Sequence, residues 1–224
     1  MPRELENILL NRLPERIVPN QIQETIQEDL VQHIEEQAIE TPEIPDRLFY
    51  DTEVVGYTSV ESQAEFYQWS IQGIDLENSL ILDMGAGRGD FNEILKVNIK
   101  NYQYIGIDTN KMLVNIANQK YTGIDFRLSD WNTFEGNVDW SFNIFGISYN
   151  YLEIDKLEFL KTSIQKALDI SNKGCVFILL CDNNGISQYI HYDISDVCKL
   201  VNPYLFGIDK SMPMNAFKLV IFKQ

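Results

Sequence analysis

The stretch that decides the fold is residues 80–91, which read LILDMGAGRGDF. A short apolar run ends there in Asp83, and three alternating glycines follow it: Gly85, Gly87 and Gly89. Beyond them, apolar residues recur at helical spacing: Phe91, Ile94, Leu95 and Val97. We therefore predict a buried strand, a glycine-rich turn and an amphipathic helix. Glycine permits close backbone approach and a helix start offers free N–H groups, so the turn is a candidate site for a ligand with an anionic or polar tail.

The spacing of the glycines narrows the class of ligand. In the dinucleotide fingerprint G-x-G-x-x-G counted from Gly85, the third glycine would fall at position 90, which is Asp90 in this chain. Hydride transfer is therefore disfavoured. A phosphate-binding P-loop is excluded, because no Gly-Lys-Ser/Thr follows the turn. On this motif alone, a glycine-rich turn in some other α/β protein stays open.

A second acid follows at a distance that supports a nucleotide-like ligand. Residues 102–108 read YQYIGID, which predicts a buried strand that ends in Asp108. In nucleotide-binding βαβ units, an acid about 20 residues beyond the glycines accepts from the ribose hydroxyls. Alternatively, Asp108 is a solvated strand-end acid or the cap of a helix over residues 112–117. Its combination with the glycine motif favours the ligand role.

Composition bounds the other classes of function. The chain has 224 residues and a formal net charge of −15, which makes nucleic acid an unlikely partner, because phosphate binding relies on Lys and Arg. Three cysteines without metal-ligand spacing predict no metal site and a reducing, cytoplasmic location: Cys175, Cys181 and Cys198. We expect no signal peptide and no membrane-spanning segment.

Residues 1–48 differ in composition from the remainder of the chain. They contain 11 acids against 4 bases. Apolar residues recur there every four positions, which predicts an acidic helical extension: Ile22, Ile26, Leu30 and Ile34. This extension is either a cap or tail of the main domain, or a docking arm that lays its apolar stripe on a protein partner.

The rest of the chain alternates predicted helices and strands. Ser59 is a plausible N-cap for a helix whose Phe66 and Trp69 enter the core. Further strands are predicted over 123–128, 140–148 and 175–180, followed by a hairpin of 204–208 with 216–223. Helices are predicted over 154–170, with a stop at 172–174 that includes a left-handed glycine, and over 193–201.

From about residue 50 to 224 the chain resembles class I S-adenosylmethionine (SAM) methyltransferases. The resemblance rests on Asp-x-Gly-x-Gly-x-Gly from Asp83, on Asp108 and Asp130 after the next two strands, and on the final hairpin. It implies an α/β fold over 49–224: a Rossmann-like, seven-stranded, mostly parallel sheet with an antiparallel C-terminal hairpin and helices on both faces. More narrowly, residues 56–63 with the Gly-Asp-Phe loop resemble bacterial and phage methyltransferase-domain proteins of unassigned substrate.

The resemblance also implies SAM as the cofactor and a set of residues around it. The implied cofactor-binding residues are Tyr57, Gln63, Asp83, Gly85, Ala86, Gly87, Gly89, Asp108, Thr109, Asp130 and Trp131. For Asp130 and Trp131, a helix cap and a core tryptophan are equally acceptable roles. Tyr57 is alternatively a wall residue without chemistry.

The methyl acceptor is not encoded in a motif that we can identify. The family places acceptor chemistry after the fourth strand, where this chain has Tyr149, Asn150 and Tyr151 and lacks the motifs of nucleic-acid methyltransferases. These three residues and His191, a candidate general base, are weak catalytic candidates. We expect a small-molecule or protein acceptor. The alternatives are a SAM-fold scaffold of a larger assembly such as a virion, tethered through residues 1–48, and an aminopropyl transferase.

Overall fold

A computed structural model describes residues 57–148, 155–181, 189–212 and 215–223. The predicted extension over 1–48 and the acceptor candidates at 149–151 lie outside these described residues. The strands are β1 Ser79–Met84, β2 Tyr102–Asp108, β3 Asp125–Leu128, β4 Val138–Ile144, β5 Ser171–Leu180, β6 Leu205–Asp209 and β7 Ala216–Phe222. They form one sheet in the order β3-β2-β1-β4-β5-β7-β6. Strands β1 to β5 pair in parallel, and β7 is antiparallel to both β5 and β6, as predicted.

Helices cover both faces of the sheet. They are α1 Val60–Ile71, α2 Phe91–Asn98, α3 Lys111–Lys120, α4 Lys156–Ile170 and α5 Ile194–Val201. The first three pack on one face, against alternate strand residues such as Ile81 and Phe142. The last two pack on the other face, against Leu82 and Phe177. This alternation of buried side chains is what a sheet covered on both sides requires, and it confirms the predicted α/β fold.

The helix starts follow local capping chemistry. The hydroxyl of Ser59 accepts from the backbone N–H of Ser62, and the Ser62 hydroxyl accepts from the backbone N–H of Ser59, so the predicted cap of α1 is a reciprocal capping box. Asn110, Asp155 and Asp193 accept backbone N–H groups at the starts of α3, α4 and α5. These starts are encoded within a few residues of sequence.

Three details of the sequence-based prediction are wrong. Strand β4 ends at Ile144 rather than 148, because Phe145 takes a left-handed φ of +62° that a strand cannot continue. Strand β5 begins directly at the end of α4, so the predicted stop at 172–174 lies inside this strand. Val97 is 84% exposed, since it lies about 200° around α2 from the buried Leu95.

The order of the strands positions the candidate site. From β1 the chain first adds β2 and β3 on one side, and then returns to place β4 on the other side. In open parallel sheets, ligands bind beyond the carboxyl ends of the strands at such a switch point. Within the described ranges, no helix is both long and apolar enough to cross a membrane.

Candidate cofactor site at the carboxyl ends of the central strands

A cavity of about 620 Å³ lies at this switch point. Its volume falls within the roughly 300–1,000 Å³ that is usual for small-ligand sites. The residues that line it are Tyr57, Tyr67, Gly85, Ala86, Gly87, Ile107, Asp108, Thr109, Asn110, Lys111, Leu113, Ser129, Trp131, Ile144, Phe145 and Gly146. Seven of the predicted cofactor-binding residues are therefore brought together around one space: Tyr57, Gly85, Ala86, Gly87, Asp108, Thr109 and Trp131.

The glycine-rich turn forms one side of the cavity. The backbone N–H groups of Gly85 and Ala86 both donate to the carbonyl of Ile107, each at 2.9 Å, which holds the turn against the end of β2. Gly85 has a φ of +88°, and a Cβ atom there would lie 3.2 Å from the Cα of Gly146. The turn after β1 and the turn after β4 thus approach each other more closely than side chains easily allow.

Asp108 joins the end of β2 to the glycine turn. One carboxylate oxygen accepts from the N–H of Gly87 at 2.8 Å, and the other accepts from the N–H of Asn110 at 2.8 Å. Asn110, rather than Asp108, caps α3. Because a carboxylate has about four acceptor positions, both oxygens of Asp108 keep capacity for further donors.

Four of the side chains that line the cavity are aromatic, and we call Tyr57, Tyr67, Trp131 and Phe145 the aromatic wall. The Tyr57 ring contacts the rings of Tyr67 and Phe145 edge-on, with centroids 5.6 and 6.1 Å apart. Phe145 holds the left-handed φ noted above, an uncommon conformation for a bulky residue that is typical of binding sites.

Asp83 lies outside the cavity lining. Its side chain is 3% exposed, and one of its oxygens accepts from the Tyr104 hydroxyl at 2.6 Å. Burial raises the pKa of Asp83 to about 7, although the Tyr104 hydrogen bond acts in the opposite direction. The role predicted for Asp83 was ligand contact, whereas the structure places this carboxyl in the core and pairs it with Tyr104.

Three other predicted site residues also do not line the cavity. Gln63 is buried, and its amide donates to Tyr67 and to Asp90 instead. Gly89 faces Phe126, whose ring would collide with a Cβ at this position. Asp130 is exposed and accepts from the N–H of Asn132 in a turn, and no helix begins there, so the helix cap offered as its alternative role is wrong.

Trp131 has a mixed environment. It lines the cavity, and its ring also packs against Phe159 of α4 with centroids 5.8 Å apart. Its indole N–H is buried and makes no hydrogen bond with the described part of the chain. The two readings of this residue, ligand contact and core packing, are therefore not exclusive.

The weak catalytic candidate His191 does not line the cavity. Both of its ring nitrogens are buried and lack hydrogen-bond partners among the described residues, while its backbone carbonyl accepts from Lys156 Nζ at 2.8 Å. The neighbouring backbone groups connect it to the segment after β4 and to the end of β5: the Ile190 N–H donates to the carbonyl of Ser148, and the Tyr192 N–H donates to the carbonyl of Leu180. A role for His191 in catalysis stays a prediction.

Several lining residues were missed from the sequence. Tyr67 follows Gln63 by one helical turn, and this spacing was a usable signal. Ser129 directly precedes the predicted Asp130 and was passed over. The sequence predicts Phe145 inside the strand over 140–148, and nothing local to it signals a left-handed backbone. Among the described residues, no group of three or more metal-ligating side chains is present.

The chain shares its fold with solved methyltransferases. Magnesium protoporphyrin IX methyltransferase (ChlM) from Synechocystis PCC 6803, solved with bound SAH, is 13% identical, with 77% of this chain and 92% of that chain covered and a TM-score of 0.59. N-methyltransferase NodS from Bradyrhizobium japonicum WM9 is 16% identical, with 73% and 94% covered and a TM-score of 0.54. A SAM-dependent methyltransferase from Leishmania major is 17% identical, with 78% of each chain covered and a TM-score of 0.56.

At these identities the likeness establishes the fold. The chain has the Rossmann-like fold of class I SAM-dependent methyltransferases, as its motifs predicted. No protein-family model matches the sequence, and no curated protein matches it.

Proposed function

We propose that the protein is a SAM-dependent methyltransferase that binds SAM in the cavity beyond β1 and β2 and acts on a small-molecule or protein acceptor. The observation that carries this proposal is the hydrogen bond from the N–H of Gly87 to Asp108, which holds an acceptor-rich carboxylate beside the glycine turn at the cavity. A carboxylate with spare acceptor positions, next to a turn that permits close backbone approach, suits a ligand with sugar hydroxyls. ChlM, which was solved with bound SAH, and the SAM-dependent methyltransferase from Leishmania major support the same cofactor.

The residues of the chain would divide the work of binding. Asp108 would accept from the ribose hydroxyls, and the turn at Gly85 to Gly87 would approach the methionine part. The aromatic wall would exclude water and limit the positions that an acceptor can take. SAM supplies a sulfonium-activated methyl group, so the protein's main contributions are alignment of the acceptor and exclusion of water.

Calorimetry with SAM and SAH tests the proposal. We expect the wild-type chain to bind both ligands and Asp108→Asn to bind them about 10- to 100-fold more weakly, because one charge-assisted hydrogen bond of about 1.5–3 kcal/mol is lost. Asp125→Asn is the matched control, because this aspartate is exposed at the start of β3 and pairs with Arg127. Binding by the control should equal that of the wild type.

Two results would contradict the proposal. If the wild-type chain does not bind SAM at millimolar concentration, the cavity is not a SAM site. If the wild type and Asp108→Asn bind SAM and SAH with equal affinity, Asp108 does not contact the cofactor. A positive result would justify a search for acceptors with methyl-labelled SAM.

A further inference from the structure

A cluster of charged and polar groups lies behind the glycine turn, on the side away from the cavity lining. Its centre is Asp90, the residue that breaks the dinucleotide fingerprint. One oxygen of Asp90 accepts from Arg88 Nε at 3.1 Å and Nη2 at 2.8 Å, and also from Gln63 Nε2 at 3.3 Å. The other oxygen accepts from Lys120 Nζ. The cluster therefore connects the turn to α1 and α3.

The cluster is largely removed from water. The side chains of Arg88 and Asp90 are 2% and 11% exposed. Burial by itself raises the pKa of the Asp90 carboxyl, but Lys120 and Arg88 outweigh this effect and hold the pKa below its usual value. Asp90 is therefore ionised at neutral pH. Buried ion pairs contribute little net stability, and where they are useful they specify one arrangement of their neighbours.

One branch of the cluster leads to the cavity. The amide of Gln63 that donates to Asp90 also donates to the Tyr67 hydroxyl at 3.2 Å. Tyr67 lines the cavity and contacts Tyr57, a second lining residue, edge-on. One amide group therefore links the Asp90 carboxylate to the Tyr67 hydroxyl.

We propose that Asp90 is a positioning residue that sets the Tyr57–Tyr67 part of the aromatic wall through Gln63. Its effect on cofactor affinity rests on the function proposed above, whereas its effect on Tyr67 does not. The proposal also gives Gln63 a role that differs from the predicted one, because Gln63 acts on the cavity through Tyr67 instead of touching the ligand.

The competing explanation is that Asp90 merely anchors α1 to the rest of the domain. The other end of this helix provides a matched control. Lys218, which is 4% exposed, donates to the carbonyls of Trp69 and Gln72 at the end of α1. Lys218→Met removes an anchor of the same helix without touching the route from Asp90 to Tyr67.

The experiment compares Asp90→Asn, Gln63→Leu, their double variant and Lys218→Met in the full chain. The Gln63 variant leaves the ion pairs of Asp90 intact, so it stays informative if Asp90→Asn folds poorly. Incorporated 3-fluorotyrosine gives a ¹⁹F resonance for Tyr67, assigned with Tyr67→Phe, that reports its surroundings without any ligand. Calorimetry then gives the affinities for SAM and SAH.

We expect both cluster variants to shift the Tyr67 resonance and to weaken SAM and SAH binding about tenfold. The double variant should lose no more than about twofold beyond Gln63→Leu, because both changes act through one amide. Lys218→Met should lower the midpoint of unfolding and leave the resonance and both affinities unchanged.

An unmoved Tyr67 resonance in both cluster variants would overturn the proposal, and so would an equal loss of affinity in Lys218→Met. If the wild type binds no SAM but the cluster variants still move Tyr67, the proposed function fails while the positioning role of Asp90 stands.

Discussion

The buried carboxyl of Asp83 should make the stability of this protein depend on pH in a direction opposite to that of most acids. Burial raises the pKa of Asp83 to about 7, whereas an aspartate in the unfolded chain has a pKa of about 4. Between about pH 4 and pH 7, the folded state therefore keeps a proton on Asp83 that the unfolded state has already released. The stability linked to this proton is fully present below about pH 4 and is lost as the pH rises through 7.

Asp83→Asn replaces the protonated acid with a neutral side chain that does not titrate. The slope of stability against pH is about 1.4 kcal/mol per pH unit at pH 5 to 6 and falls to half of that at pH 7, where the folded-state carboxyl is half ionised. From pH 5 to 7 the variant should therefore gain about 2.3 kcal/mol relative to the wild type. We expect this gain in urea unfolding followed by tryptophan fluorescence at pH 5, 6, 7 and 8, with little further change above pH 8. Other titrating groups cancel because they are common to both proteins.

Tyr104→Phe provides a second test of the same reasoning. The Tyr104 hydroxyl donates to the Asp83 carboxylate and thereby lowers its pKa, so removal of this donor should raise the pKa. The pH range over which stability is lost should then move upward relative to the wild type. A difference between the wild type and Asp83→Asn that does not vary with pH would refute the account of Asp83 as a buried acid with a raised pKa.

Two further predictions concern the packing around the site. Gly89→Ala should lower the free energy of unfolding by about 2–4 kcal/mol in chemical denaturation. The reason is that Gly89 has a φ of +78° and that a Cβ atom there would lie 2.3 Å from the ring of Phe126. An unchanged midpoint of unfolding would mean that the ring moves aside at no cost. Lys218→Met should lower the free energy of unfolding by about 1–3 kcal/mol in the same assay, because the carbonyls of Trp69 and Gln72 lose a buried donor. A variant as stable as the wild type would show that water replaces the ammonium group.

Much of the fold follows from signals that are local in the chain. The spacing of Gly85, Gly87 and Gly89 predicts a turn that needs positive φ, and all three residues have it. Ser59 predicts the start of α1 because its hydroxyl bonds to a backbone group three residues away. Asp108 joins the site because β2 is parallel to β1 and next to it. The carboxyl ends of the two strands therefore lie at the same edge of the sheet, which brings Asp108 beside the glycine turn.

The sequence by itself determined the succession of strands and helices along the described part of the chain, the glycine turn and the strand ends where a ligand would bind, because these depend on periodicity, capping and backbone conformation within short segments. Tertiary structure alone decided which polar residues face the cavity. Gln63 and Asp90 are 27 positions apart, and Asp83 and Tyr104 are 21 apart, yet each pair forms a hydrogen bond, and neither Gln63 nor Asp83 lines the cavity. A buried polar group must find its partner wherever the packed chain places one, and sequence spacing does not specify that partner.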